Sequence, residues 1–198
     1  MQIFRPDPRT TAKFTDPPIA TFLFADTRFA WFWLIVRLYL AYVWLGGAWS
    51  KLNNPAWTQT GEALKGFWTK ALSSNIYFDW YESFIQYLVN VEAWTWFAKL
   101  VIAGELFVGL TMLLGAFVGI GAFVGAFMNW NFLLAGTVSS NPLLLILELA
   151  LILAWKVAGW YGLDRFLLPL LGTPWAPGKV TQGILSQTAA PPGAPSKT

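Results

Sequence analysis

Residues 29–50 read FAWFWLIVRLYLAYVWLGGAWS, a run whose single charge, Arg37, has apolar neighbours on both sides. About 20 mostly apolar residues are what a helix needs to cross the hydrocarbon core of a bilayer. Three further runs have the same character: Trp94 to Leu114, Ala116 to Val138, and Pro142 to Tyr161. Only 12% of the 198 residues are charged and 56% are hydrophobic, with 13 Trp and 16 Phe. A soluble domain is about a quarter charged. The expected fold is an all-α integral membrane protein: a four-transmembrane-helix bundle with spans at about 29–50, 94–114, 116–138 and 142–161.

The connections differ in length. A tight turn near Gly115 joins the second and third runs into an antiparallel hairpin. SSNP joins the third to the fourth, with Asn141-Pro142 as a helix start. Residues 51–93 form the one long connection, and it is dense in rings. Ile76, Trp80, Phe84, Tyr87, Leu88 and Val91 recur there at helical spacing. Two short amphipathic helices lying across the mouth of the bundle are expected.

Residues 1–28 are polar and proline-bearing, with Arg5, Arg9, Lys13 and Arg28. A secretory leader has a short basic region followed at once by its apolar core, which is a different order. The stretch reads as a retained tail, with IATFLFA lying on the membrane surface. Residues 172–198 are rich in Pro, Gly, Ala, Ser and Thr and read as a flexible tail. Lys and Arg favour the two tails, whereas Lys51, Lys65 and Lys70 in the 51–93 loop are offset by Glu62, Asp79, Glu82 and Glu92. By the positive-inside rule both tails are cytoplasmic and 51–93 is external, in the cell's inner membrane.

The chain has no Cys and no His. That removes thiol chemistry, imidazole acid–base work and haem ligation by His, and no metal or haem site is expected. No nucleotide-binding fingerprint is present and no nucleic-acid partner is expected. Chemistry must come from carboxylates, Lys, Arg, amides and rings.

A charge near the bilayer centre costs about 2.5–3.5 kcal/mol on insertion scales, so such groups should face inward and find partners. Besides Arg37 there are Glu105 in VIAGELFVGL, Glu148 in LLLILELALIL, and Asn129 and Asn131 in FMNWNFLL. Lys156, eight residues after Glu148, shares a helix face with it or snorkels to the interface. The expectation is a polar column: Arg37 in the inner half, Glu105 central and paired with it, Glu148 in the outer half. An Arg37–Glu105 pair could be structural, fixing register. Glu148 has no cation within a turn on its own helix, which suits a proton relay or a hydrogen bond to a quinone carbonyl. Gly115 and Gly119, and Gly121 and Gly125, are four apart and allow close helix packing. Trp31, Trp33, Trp49, Trp57, Trp94, Trp96, Trp155 and Trp160 lie near span ends, as an interfacial belt does.

RLYLAYVWLGGAWSKLNNP, AGELFVGLTMLLG, WNFLLAGTVSSNP and GWYGLDRFLLP, in this order and spacing, resemble the DoxX/DoxD family of small four-span membrane proteins over about residues 29–171. The resemblance implies a role like the large subunit of thiosulfate:quinone oxidoreductase, which oxidises thiosulfate to tetrathionate and passes the electrons to membrane quinone. It places Arg37, Lys51, Glu105 and Asn129 at family-like positions. With the polar column it gives Arg37, Glu105 and Glu148 as catalytic candidates and Lys51, Asn129 and Asn131 as substrate-binding candidates. Quinone is then a substrate, and a DoxA-like subunit or other redox-complex subunits are the expected partners alongside the bilayer. The alternative is a non-catalytic accessory or scaffold subunit of a respiratory or photosynthetic complex.

Overall fold

The computed structural model describes residues 16–74 and 76–172. The expectations for Arg5, Arg9 and Lys13 and for the C-terminal tail beyond Gly172 lie outside the described residues. Among the described residues every regular element is helical. The helices are α1 (Pro18–Ala25), α2 (Ala30–Leu52), α3 (Pro55–Thr58), α4 (Glu62–Ser73), α5 (Asp79–Asn90), α6 (Trp94–Leu114), α7 (Val118–Leu134), α8 (Asn141–Leu153), α9 (Trp155–Ala158) and α10 (Asp164–Leu171), with one 3₁₀ turn at Thr27–Phe29 before α2.

Four of them, α2, α6, α7 and α8 continued by α9, pack as an antiparallel bundle. The register is read from glycines that meet large neighbours. Gly47 lies against Glu105 and Gly109 against Leu45, which runs α6 antiparallel to α2. Gly121 lies against Thr111 and Gly104 against Met128, which runs α7 antiparallel to α6. Gly125 lies against Glu148 and Gly119 against Trp155, which runs α8–α9 antiparallel to α7. Leu40, Val108, Met112, Val118 and Leu151 fill the axis. The spaced glycines therefore do pack helices, and several of them also seat a polar side chain that a Cβ would displace.

Two helices are long and apolar enough to cross a membrane, the first over Thr27–Leu52 and the second over Trp94–Leu114. The other two are apolar but shorter than the expected 116–138 and 142–161. The 17 residues of α7 rise about 25 Å. Its first turn is consumed by the α6–α7 link, where Gly115 and Phe117 both take left-handed backbone. The helix begun at Asn141 ends at Leu153, and Ala154, at φ −86° and ψ 10°, offsets the next turn. That break corrects the expectation for Lys156: it does not share a face with Glu148, and its side chain is exposed while Glu148 is fully buried.

The outer surface of the bundle is as apolar as its interior. Phe123 and Phe127 on α7 and Ile146 on α8 are each more than 60% exposed. The smaller residues face in and the bulkier ones face out, as expected of helices solvated by acyl chains rather than water.

The 51–93 connection carries three helices rather than two. Asn54 caps α3, its side chain accepting from the Ala56 amide, and Pro55 opens the first turn. Gly61, at φ +76°, turns the chain so closely under the Trp94 carbonyl that a Cβ would overlap it. This folds α4 back onto α6, and α5 then packs beside α4. The helical spacing in 76–91 is confirmed, and the residues on it divide between two faces. Tyr81, Ile85 and Leu88 are buried, whereas Trp80, Phe84, Tyr87 and Val91 make an outward stripe. Spacing finds the stripe; it does not say whether protein or lipid covers it.

Both described ends of the chain lie at one end of the bundle. α1 packs on α9, Phe24 stacks on Trp33 with ring centroids 5.7 Å apart, and the residue before α10 bonds to the end of α6. The other end carries α3, α4, α5 and the 135–140 link.

Candidate functional site

The buried charges form two clusters, one at each end of the bundle, in place of the expected column. At the end that holds both described ends of the chain, Arg37 is 1% exposed on α2. Its Nη2 donates to the Tyr161 carbonyl at 2.9 Å. The guanidinium lies flat against Gly115 and Gly162, and a Cβ on Gly115 would overlap Nη1. Beside it, buried Asp164 accepts from the Phe117 and Val118 amides at 2.6 and 3.0 Å. It thus caps α7 from 47 residues away and holds Phe117 in left-handed backbone, which a bulky residue rarely adopts. The Leu163 and Asp164 amides donate in turn to the Leu114 and Gly115 carbonyls. Burial pushes the Asp164 carboxyl above its ordinary range, opposed by those two donors and by the charge of Arg37. Arg37 therefore does not pair with Glu105. It ties α2 to the α6–α7 and α9–α10 turns, two glycine-bearing corners that can approach a guanidinium.

At the other end, Lys51 in the last turn of α2 donates from Nζ to Glu105 Oε1 at 2.7 Å and lies over the Trp57 ring, 5.1 Å from its centroid. Glu148, one helix further round, is held by the Trp44 indole N–H on Oε1 and the Asn129 amide on Oε2, each at 2.8 Å. Glu148 and Asn129 stand at one level, not at different depths. These groups surround a cavity of about 300 Å³. Its floor is Trp44, Gly47, Glu105 and Asn129, and its rim includes Lys51, Trp57, Thr137 and Ser140. Glu148 stands behind the wall, bonded to two of its members. Two buried acceptors remain unused here: Glu105 Oε2 and Asn129 Oδ1 take no hydrogen bond from any described residue.

Of the site candidates, Lys51, Glu105, Asn129 and Glu148 are brought together, and Arg37 and Asn131 are not. Asn131 is two residues past Asn129 and so points to another side of α7. Its amide donates to the Phe127 carbonyl, and its own carbonyl accepts from the Tyr81 hydroxyl at 2.9 Å. Sequence reading missed Trp44 and Asp164. Trp44 had a signal: Arg37, Trp44 and Lys51 are seven apart, one stripe on one helix. Asp164 had less, an acid among glycines and rings in GWYGLDR.

No curated protein and no solved structure matches the chain. The DoxX family model matches residues 32–137, which hold Arg37, Lys51, Glu105 and Asn129, and stops short of Glu148 and Asp164. On that match, spanning more than half of its length, the chain belongs to the DoxX family.

Proposed function

We propose that this membrane protein is the membrane subunit of a quinone-linked oxidoreductase, with thiosulfate as electron donor and the Lys51–Glu105–Asn129–Glu148 cavity as its site. In this reading α7 and α8–α9 complete four crossings, with the tail end cytoplasmic and the cavity opening outward. The observation that carries it is a buried carboxylate, Glu105, paired with a half-buried Lys51 on one cavity, with a second buried carboxylate, Glu148, bonded to two members of its wall. Ionisable groups in such a place are expensive and mark a functional path.

The chemistry balances around those groups. Two thiosulfates lose one electron each and join by a sulfur–sulfur bond. The quinone takes both electrons and two protons to become quinol. The Lys51 ammonium at the rim can draw in the anion. Protons for the quinone can pass from the cavity mouth by way of the Glu105 carboxyl. The positioning of Lys51 between Glu105 and the Trp57 face keeps its charge at the rim.

Thiosulfate-dependent quinone reduction in membranes holding this chain alone tests the proposal, with Glu105→Gln as the control that removes turnover. No turnover in the unaltered protein would count against it as a lone enzyme. The accessory-subunit reading has one observation in its favour, the outward stripe of Trp80, Phe84, Tyr87 and Val91. Co-purification with cytochrome-bearing subunits, lost on Trp80→Glu with Tyr87→Glu, would select it.

A further inference from the structure

A second chamber of about 150 Å³ lies beneath α5, enclosed by α4, α5, α6 and α7. It shares Leu64, Phe67 and Phe132 with the polar cavity, so these three side chains form the partition between them. Phe67 and Phe132 meet edge to face, their centroids 6.2 Å apart. The two compartments differ in what they leave unsatisfied. Polar groups on the chamber wall are spent on one another, the Tyr81 hydroxyl on the Asn131 carbonyl and the Asn131 amide on the Phe127 carbonyl. The chamber therefore offers mostly apolar contact. The polar cavity keeps two unused acceptors, Glu105 Oε2 and Asn129 Oδ1, which only a donor can satisfy.

The chamber also has an outer wall. Phe84 and Phe127 line it and are 42% and 62% exposed. Phe127 belongs to the same outward row of α7 as Ile120 and Phe123, the face that acyl chains would solvate. A ligand reaching the chamber from that side comes from the bilayer, not from water.

We infer that the two compartments hold one membrane-dissolved amphiphile with a hydroxyl-bearing ring as its head. The head donates to Glu105 and Asn129 in the polar cavity. Its apolar tail passes Phe67 and Phe132 into the chamber under α5 and leaves laterally between Phe84 and Phe127. The inference rests on reading the polar cavity as the site of quinone chemistry, and it adds the route, the tail site and the preference for the reduced, hydroxyl-bearing form.

The test uses the full chain in nanodiscs and a decylhydroquinone carrying a diazirine on its chain, with labelled peptides mapped after illumination. Label is expected on α4 around Phe67 and on α7 at Phe127 to Phe132, displaced by unlabelled decylhydroquinone and not by palmitate. Val101 lines the chamber and not the polar cavity, so Val101→Phe should cut that label about tenfold, the equivalent of about 1.4 kcal/mol. Label confined to the outer residues Ile120 and Phe123, or displaced equally by palmitate, overturns the inference. If Val101→Phe does not fold, the competition result decides alone. Chamber labelling without any thiosulfate-dependent turnover supports this inference while removing the sulfur chemistry; turnover with label only on the outer face does the reverse.

Discussion

The two ends of the bundle solve the same problem differently. Each places a charge on α2, a buried Arg37 near its start and a half-buried Lys51 near its finish. The Arg37 end is closed: glycine backbone is packed against the guanidinium, and Asp164 is spent on two amides of the adjoining turn. Both ends leave polar atoms over among the described residues, Arg37 Nε and Nη1 at one and Glu105 Oε2 and Asn129 Oδ1 at the other, but Glu105 and Asn129 line a cavity while Arg37 is packed against glycine. A buried charge packed against backbone fixes a corner; one that faces space is available for a ligand. The same kind of residue on the same helix thus serves stability at one end and chemistry at the other.

That contrast can be broken by mutation. The largest effect should come from Asp164→Ala, which leaves the Phe117 and Val118 amides uncapped and Arg37 without its counter-charge. A loss of about 3–5 kcal/mol is expected, seen as a collapse of the thermal unfolding midpoint in detergent. An unchanged midpoint would remove the structural role of this end. Glu105→Gln should do the opposite, keeping a near-normal midpoint while lowering thiosulfate-dependent quinone reduction by about a hundredfold or more.

A double-mutant cycle sharpens the pairing. Lys51→Met with Glu105→Gln should deviate from additivity by about 0.5–3 kcal/mol, because the two touch. Arg37→Gln with Glu105→Gln should add within about 0.5 kcal/mol, because they share no partner. Coupling between Arg37 and Glu105 would restore the single column that the structure replaces with two clusters.

The smallest effect concerns Tyr81, which joins α5 to α7. Burial pushes its hydroxyl up to about 12. The unfolded phenol titrates near 10. The folded state therefore holds this proton more tightly, and the contribution is intact below about pH 10 and declines as pH rises toward 12. Ultraviolet titration should show a late phenol that is absent in Tyr81→Phe. A high-pH titration unchanged by Tyr81→Phe would mean that α5 is not seated on α7.

Much of this was legible from residues alone. The apolar runs announced the bundle, and Gly115 and Asn141-Pro142 marked its turns. The cost of charge in hydrocarbon singles out Glu105, Glu148 and Arg37 from the residues alone. The partners were less legible. Charge complementarity matched Arg37 with Glu105, but a helix places its side chains by rotation as well as depth, and the two stand at different levels. Asn131 failed for the same reason, two residues and about 200° from Asn129. The α5 spacing was legible, but not that Leu88 turns inward while Trp80, Phe84, Tyr87 and Val91 turn outward, since spacing alone does not say what covers a face.

By itself the sequence determined the helices, their apolar faces and which residues had to be sheltered from lipid, because those follow from backbone hydrogen bonding and transfer cost along one chain. Only the tertiary structure decided who meets whom: Lys51 with Glu105, Trp44 and Asn129 with Glu148, Arg37 with two glycine corners. In a membrane the apolar surroundings pull no face of a helix inward more than another. Partners are then chosen by close packing between helices, and that information is shared among residues far apart in the chain.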